Sequence, residues 1–210
     1  MMEIFWNIER MDENQEIGAA DGECLLEIEG SIHCDGLNAG EIGAFYLFSE
    51  EPETRDAFHW LWDLTEGACH VYEEIITKVR RKFCNPLPDF LNKNTGILCI
   101  HHIALKPEFR KRGIGREAIH ETVRHLADDR VGAVLIDSRP IQHRPNGYEK
   151  FWDEVRELPF NAPEVDQDRL IRHFKSWAML PVKGTDFMVA APSTLCTTRD
   201  QIWYPGLLED

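Results

Sequence analysis

Five basic residues, Lys106, Arg110, Lys111, Arg112 and Arg116, crowd one short stretch of a chain whose formal net charge is −14. They share it with Pro107, Gly113 and Gly115, in the run Ile103-Ala104-Leu105-Lys106-Pro107-Glu108-Phe109-Arg110-Lys111-Arg112-Gly113-Ile114-Gly115. An apolar strand pattern leads in, and an amphipathic helix pattern leads out. The first turn of a helix holds backbone N–H groups with no intrahelical acceptor, and the helix dipole favours negative charge there. Glycines at that turn remove the Cβ atoms that would keep a phosphate from the backbone. The chemistry this arrangement predicts is a cradle for a pyrophosphate.

A second reading competes on the same glycines. Gly113-Ile114-Gly115-Arg116-Glu117-Ala118 fits the Gly-x-Gly-x-x-Gly/Ala dinucleotide fingerprint, and Asp137 stands near the expected ribose-binding position. Against it, a dinucleotide-binding strand feeds almost directly into its first glycine, whereas Lys106 to Arg112 intervene here. The unit also follows three predicted strands instead of opening the domain. A solvated basic turn capping a structural helix would account for the charges, but not for the two glycines or the proline.

The elements that must position the turn follow from periodicity. Ile4, Trp6 and Ile8 alternate with Glu3, Asn7 and Glu9, and Leu26, Ile28 and Ile32 with Glu27, Glu29 and Ser31, as half-buried strands do. Asp35-Gly36 and Asn38-Ala39-Gly40 mark a turn, and Ile42 to Phe48 then reads as a central strand. A helix is predicted over 65–82, with Leu64, Ala68, Val71, Tyr72, Ile75, Ile76, Val79 and Phe83 on one face. A strand over Ile97–Leu105 precedes the basic turn. After it, Ile114, Ala118, Ile119, Val123, Leu126 and Ala127 form a helical stripe, and Ala133–Ile136 a strand. Strand, turn, helix and strand in this order predict a βαβ crossover with two parallel strands. Leu170, Ile171, Phe174, Trp177 and Ala178 make a last helical stripe. Met179–Val182, the Lys183-Gly184 turn and Phe187–Ala190 read as a closing hairpin.

The basic turn resembles the signature of the GNAT superfamily of N-acetyltransferases, Leu-x-Val-x-Pro-x-x-Arg-x-x-Gly-x-Gly. Ile103, Leu105, Pro107, Arg110, Gly113 and Gly115 fall at its positions without a gap. The chain's ending is a looser match to the family's closing helix and two antiparallel strands. The resemblance implies an α/β fold with a mixed, mostly antiparallel central sheet flanked by helices, its one parallel βαβ crossover at the CoA-binding turn. It implies acetyl-CoA as acetyl donor, held by the strand backbone at Ile103, Ala104 and Leu105 and by the turn residues Arg110, Lys111, Arg112, Gly113, Ile114, Gly115 and Arg116. It also implies direct attack of an amine acceptor on the thioester.

That attack needs a neutral amine, and a base offsets the cost of deprotonation. Some members place a histidine two residues before the Leu-x-Val pair, which makes His101 the expected base; strand alternation puts it on the face of Ile103 and Leu105, with His102 opposite. A histidine hydrogen-bonded within a half-buried strand is the competing reading. The family's general acid is a tyrosine of the last helix, and here the matching residue is Phe174, which has no proton to donate. Tyr148 is the nearest substitute in sequence; the reading that weighs more is an aromatic packing an inserted helix with Phe151, Trp152 and Val155. The departure at Phe174 leaves open a non-catalytic acyl-CoA-binding module.

At 210 residues, 43% hydrophobic and 29% charged, the chain suits one domain over residues 1–210, with 139–165 as an insert. A lid over the acceptor, a homodimer surface and simple decoration are all open roles for that insert. The acidic balance argues against nucleic acid as partner and suits a small cationic amine. No apolar run approaches the roughly 20 residues of a membrane span. Met1 to Asn7 lacks the pattern of a signal peptide, so a cytoplasmic protein with reduced cysteines is expected. Cys24, Cys34, Cys69, Cys84, Cys99 and Cys196 have no metal-ligand spacing, and no metal site is expected.

Overall fold

Alternating apolar residues in the first half of the chain build three long antiparallel strands: β1 (Met2–Arg10), β2 (Glu23–Cys34) and β3 (Leu37–Ser49). The computed structural model describes residues 1–10, 23–49, 85–91, 94–144, 158 and 161–196. The predicted helix over 65–82, Tyr148, and the aromatic face of the insert lie outside these residues. A single-turn helix, α1 (Leu87–Phe90), precedes β4 (Gly96–Leu105), α2 (Ile114–Leu126) and β5 (Val131–Asp137). The chain closes with α3 (Pro163–Lys175), β6 (Leu180–Pro181) and β7 (Phe187–Ala190). The seven strands among the described residues form one sheet in the order β1-β2-β3-β4-β5-β7-β6, in which β4 and β5 are the parallel pair and the others are antiparallel. The expected crossover is therefore present, and the doubly wound parallel sheet that a dinucleotide fold requires is not what these residues build.

The hairpin between β2 and β3 turns on two residues only, Asp35 and Gly36, both with positive φ (52° and 78°). That conformation matches the twist of the flanking strands and favours Asp-Gly. Asn38, Ala39 and Gly40, expected in the turn, already belong to β3, because the two-residue turn satisfies the reversal without them.

One face of the sheet carries Ile28, Ile42, Ala44, Tyr46, Leu98, Ile100, Val134 and Ile136, which pack against Ile114, Ala118, Ile119 and Val123 of α2 and Phe174 of α3. The alternate residues Phe45, Leu47, Ile97, Cys99 and Leu135 are buried too, and β5 is buried along its whole length, as a central strand covered on both faces must be. Helix α3 starts at Pro163, inside the segment read as an insert, and stops at Lys175, before the end of its predicted stripe. Ala178 adopts a left-handed φ of 61°, which reverses the chain, so Ala178 itself is exposed. Trp177 nevertheless stays 3% exposed and completes the core. No helix among the described residues is long and apolar enough to cross a membrane. Cys34 and Cys99 are free thiols.

The register of β4 against β3 slips by one residue: Gly43 lies opposite His102 and Ala44 opposite Ile100, leaving His101 as the extra residue of a β-bulge. A bulge breaks strict alternation. The His101 ring stacks on Phe45, 4.6 Å between centroids, and its Nδ1 lies 3.1 Å from Nδ1 of His102. Both imidazoles therefore share the Gly43–Phe45 face. His101 does not join Ile103 and Leu105, as alternation had placed it. Space for the two rings exists because residue 43 is glycine: a Cβ there would meet His102 Cε1 at 2.2 Å and His101 Cε1 at 2.8 Å. Gly43→Ala should cost about 1–3 kcal/mol, as overpacking does. Thermal denaturation reads this as a loss of about 2–4 °C per kcal/mol. In a His102→Ala background the same change should cost far less, and equal costs in both backgrounds would mean that the rings are not the cause.

Candidate functional site

The basic run is a rigid turn. Lys106 N–H donates to Ala39 O at 2.9 Å, and a 3-10 turn over Pro107–Phe109 buries the Phe109 ring. Arg110 Nε donates to Leu105 O at 3.0 Å, tying the turn back to the end of β4. Lys111 and Gly113 take positive φ (58° and 81°), and Gly113 is the N-cap of α2 without any side-chain cap bond. The first intrahelical bond runs from Glu117 N–H to Gly113 O at 3.0 Å, so the amides of Ile114, Gly115 and Arg116 have no acceptor within the helix. Ile114 anchors this end in the core, while Lys111 and Arg112 are exposed around it.

Gly113 is explained by its φ; Gly115 is not. A Cβ at Gly115 would sit 3.4 Å from Leu105 Cδ1 and 3.7 Å from Ile103 Cδ1, which are ordinary contacts. Glycine within a helix costs about 0.8–1.0 kcal/mol relative to alanine, and nothing inside the protein requires it here. Its effect is to leave the helix backbone accessible from outside. Arg116 departs from the expected arrangement: its guanidinium lies over the Trp177 ring, 5.3 Å from the centroid, and burial lowers its pKa.

Beyond the turn the sheet opens. β4 and β5 pair from Gly96 and Val131 only as far as Ile100 and Ile136, and β4 then continues to Leu105 while β5 ends. A cavity of about 270 Å³ occupies the parting. Ile100, Ile103, Ile136, Ile141 and Phe174 give it apolar walls; His102, Asp137, Arg139 and Arg144 give it polar ones. Ile103 and Leu105 thus approach α2, whereas Ala104 packs on Ile141.

Asp137 is buried and accepts from Arg139 through its backbone N–H (2.8 Å), Nε (3.2 Å) and Nη2 (2.7 Å). Arg144 Nη2 lies 3.4 Å from the same carboxylate. Arg144 also donates to Arg139 O from Nε (3.2 Å) and Nη2 (2.8 Å), and from Nη1 to His101 O. Burial draws its pKa below the usual guanidinium range, against the pull of Asp137. Cys99, fully buried near these groups, has its thiol pushed up by burial and then by Asp137, the opposite of what a nucleophilic cysteine needs.

The histidine pair reaches the cavity through His102, whose Nε2 lies 3.8 Å from Glu29 Oε2 and 3.9 Å from Glu41 Oε1. Two carboxylates thus face the Nε2 edge of the His102 ring. The structure thus brings His101, Ile103, Leu105 and the turn residues to one end of β4, and adds His102, Arg139 and Arg144, which sequence reasoning missed. Asp137, weighed before only as a ribose ligand, is instead the buried counterion of two arginines. Arg139 stands two residues past a strand end and carried a local signal; Arg144 carried none.

With this geometry in place, the class is defined as a mixed α/β protein with a seven-stranded, mostly antiparallel sheet opened beside a helix N-terminus. No protein-family model and no curated protein matches the sequence.

The far wall of the cavity depends on Asp166 of α3. It accepts from Asn161 Nδ2 (2.7 Å), His143 Nε2 (3.1 Å), Gln142 Nε2 (3.3 Å) and Arg169 Nη1 (3.4 Å). Burial works to raise its pKa, but the bonds from Asn161 and His143 outweigh this and hold it below the ordinary carboxylate value of 3.8. A depressed carboxylate stabilises the fold above its unfolded pKa and loses that contribution as pH falls through the folded value. Asp166→Asn should therefore cost about 1–3 kcal/mol at neutral pH. In chemical denaturation the gap between wild type and variant should shrink below pH 3.8. A gap independent of pH would show that the charge is not what matters.

Proposed function

We propose that the protein is a GNAT-type N-acetyltransferase, which binds acetyl-CoA at the Arg110–Gly115 turn and transfers the acetyl group to an amine. The observation that carries this reading is the coincidence of two openings at one place. The strands β4 and β5 part beyond Ile100 and Ile136, and the uncapped N-terminus of α2 stands at the end of the same β4. An extended amide-bearing arm suits the strand end, and a pyrophosphate suits free amides ringed by Arg110, Lys111 and Arg112. The motif match from Ile103 to Gly115 is the third support.

In the proposed reaction the neutral amine nitrogen forms a bond to the thioester carbonyl carbon, the carbon–sulfur bond breaks, and CoA leaves as the thiolate. The proton lost from nitrogen goes to the His101–His102 pair. Glu29 and Glu41 beside His102 favour a cationic small-molecule acceptor on that face. Tyr148 remains the proposed proton donor to the thiolate, with Tyr148→Phe as its test; an unchanged rate would remove it.

A specific feature favours a second reading. Phe174 lines the cavity and is 4% exposed, where a catalytic tyrosine would stand. A protein that binds acyl-CoA without turnover would have no use for the hydroxyl. Consumption of acetyl-CoA against a panel of polyamines, amino acids and lysine peptides separates the two readings.

Binding has its own test. Ligand at a hundred times its Kd stabilises by about 2.7 kcal/mol. CoA should then raise Tm by about 5–10 °C. Gly115→Asp places a carboxylate among the amides without steric strain, and an acid in the first helical turn is itself favourable by about 0.3–1 kcal/mol. The variant should melt no lower than wild type in buffer, yet show no shift with CoA. A shift with NAD instead of CoA would overturn the assignment.

For the base, His101→Ala and His102→Ala should each lower kcat/KM by about 10²-fold at neutral pH, with partial recovery at high pH as the amine loses its own proton. Because the two rings share one hydrogen bond, the double variant should be no worse than the poorer single one. Multiplying losses would mean separate roles, and an unaltered pH–rate profile in the His101 variant would remove it from the reaction.

A further inference from the structure

We propose that Arg144 is the electrostatic stabiliser of the departing CoA thiolate, a fixed cation in the place where Phe174 withholds a hydroxyl. The inference rests on the acetyl-transfer reading and assigns the residue that completes it. Arg144 and Phe174 line the same cavity. The Arg144 side chain is only 16% exposed, so its charge acts in a medium where electrostatic interactions are stronger than in water.

Its hydrogen bonds fix the guanidinium at the apex of the parted strands. Nη1 reaches His101 O, one residue past the last β4–β5 pair, while Nε and Nη2 hold Arg139 O. Carbonyls orient a guanidinium but do not neutralise it. Asp137 lies 3.4 Å from Arg144 Nη2 but also accepts from three donors of Arg139, so this one buried carboxylate serves two guanidiniums. Asp186 lies 3.9 Å from Arg139 and is 39% exposed. Of five N–H donors, Arg144 commits one at Nε, one at Nη1 and two at Nη2 to the described residues. Among the described residues one Nη1–H is left, on the nitrogen that reaches His101 O. In the step, the electron pair of the broken carbon–sulfur bond stays on sulfur beside this cation; the amine proton goes to the histidines, and the thiolate takes its proton on release, from Tyr148 as proposed above or, where Tyr148→Phe leaves the rate unchanged, from water.

The test reads the bound thiol directly. CoA is bound to the protein and titrated, with the thiolate followed by its ultraviolet absorbance, against free CoA in the same buffer. A cation within about 4–6 Å should lower the bound thiol pKa by about 1–3 units. Arg144→Lys should keep a lowered value and Arg144→Met should return it to that of free CoA. With acetyl-CoA, Arg144→Met should lower kcat by about 10²-fold, the range for removal of one preorganised charge-stabilising donor, with little change in KM. A wild-type protein that binds CoA with an unshifted thiol overturns the inference, whether or not the methionine variant folds. A shift that survives in Arg144→Met does so as well. Failure of CoA to bind at all overturns instead the reading on which it rests.

Discussion

One extra residue in β4 sets the geometry around the candidate site. Inserting His101 against the register of β3 rotates the strand beyond it, so that His101 and His102 lie on one face and Ile103 and Leu105 on the other. Bulges increase local twist and bend the strand that carries them. The last pair with β5 is Ile100–Ile136, directly before the insertion. The parting of the two parallel strands, the cavity there and the imidazole pair beside it thus all lie at one local irregularity.

The turn beyond the strand illustrates a different constraint, the cost of holding unsatisfied backbone amides in place. Phe109 and Ile114 are buried on either side of the exposed Lys111 and Arg112, and Arg110 is bonded to the carbonyl of Leu105. Hydrophobic anchors and one side-chain bond thereby fix a loop that carries several positive charges. A ligand meeting such a loop has little ordering entropy to overcome. The wall opposite is built otherwise, from the charged and hydrogen-bonded groups around Asp137 and Asp166, which are held because each buried carboxylate has several donors.

What could be read from the sequence divides along physical lines. Local periodicity showed the strand–turn–helix–strand unit from Ile97 to Ile136, because its stripe and glycines lie next to one another in the chain. Asp35-Gly36 was legible for the same reason, although the strand after it starts earlier than the composition of residues 38–40 suggested. Strict alternation misplaced His101, since a bulge is decided by contacts with β3 and not by the residues of β4 alone. The stripe through Ala178 ran past the end of α3 because Trp177 reaches the core after the helix has stopped. Arg144 meets His101, and Asp166 meets His143, from separate elements, and neither meeting has a signature in sequence spacing.

The missing side chain at Gly43 has a consequence for how sequences of this kind can vary. Two positions far apart in the chain are locked together: any β-carbon at residue 43 competes for the volume of an imidazole at residue 102. Substitution at one is tolerated only with, or after, shrinkage at the other, which makes the order of mutations matter. A lineage that kept both histidines would be confined to glycine at 43, and a lineage that had lost them would be free to replace it. Glycine at 43 is thus a demand that the histidine pair makes, not a sign that the pair is present.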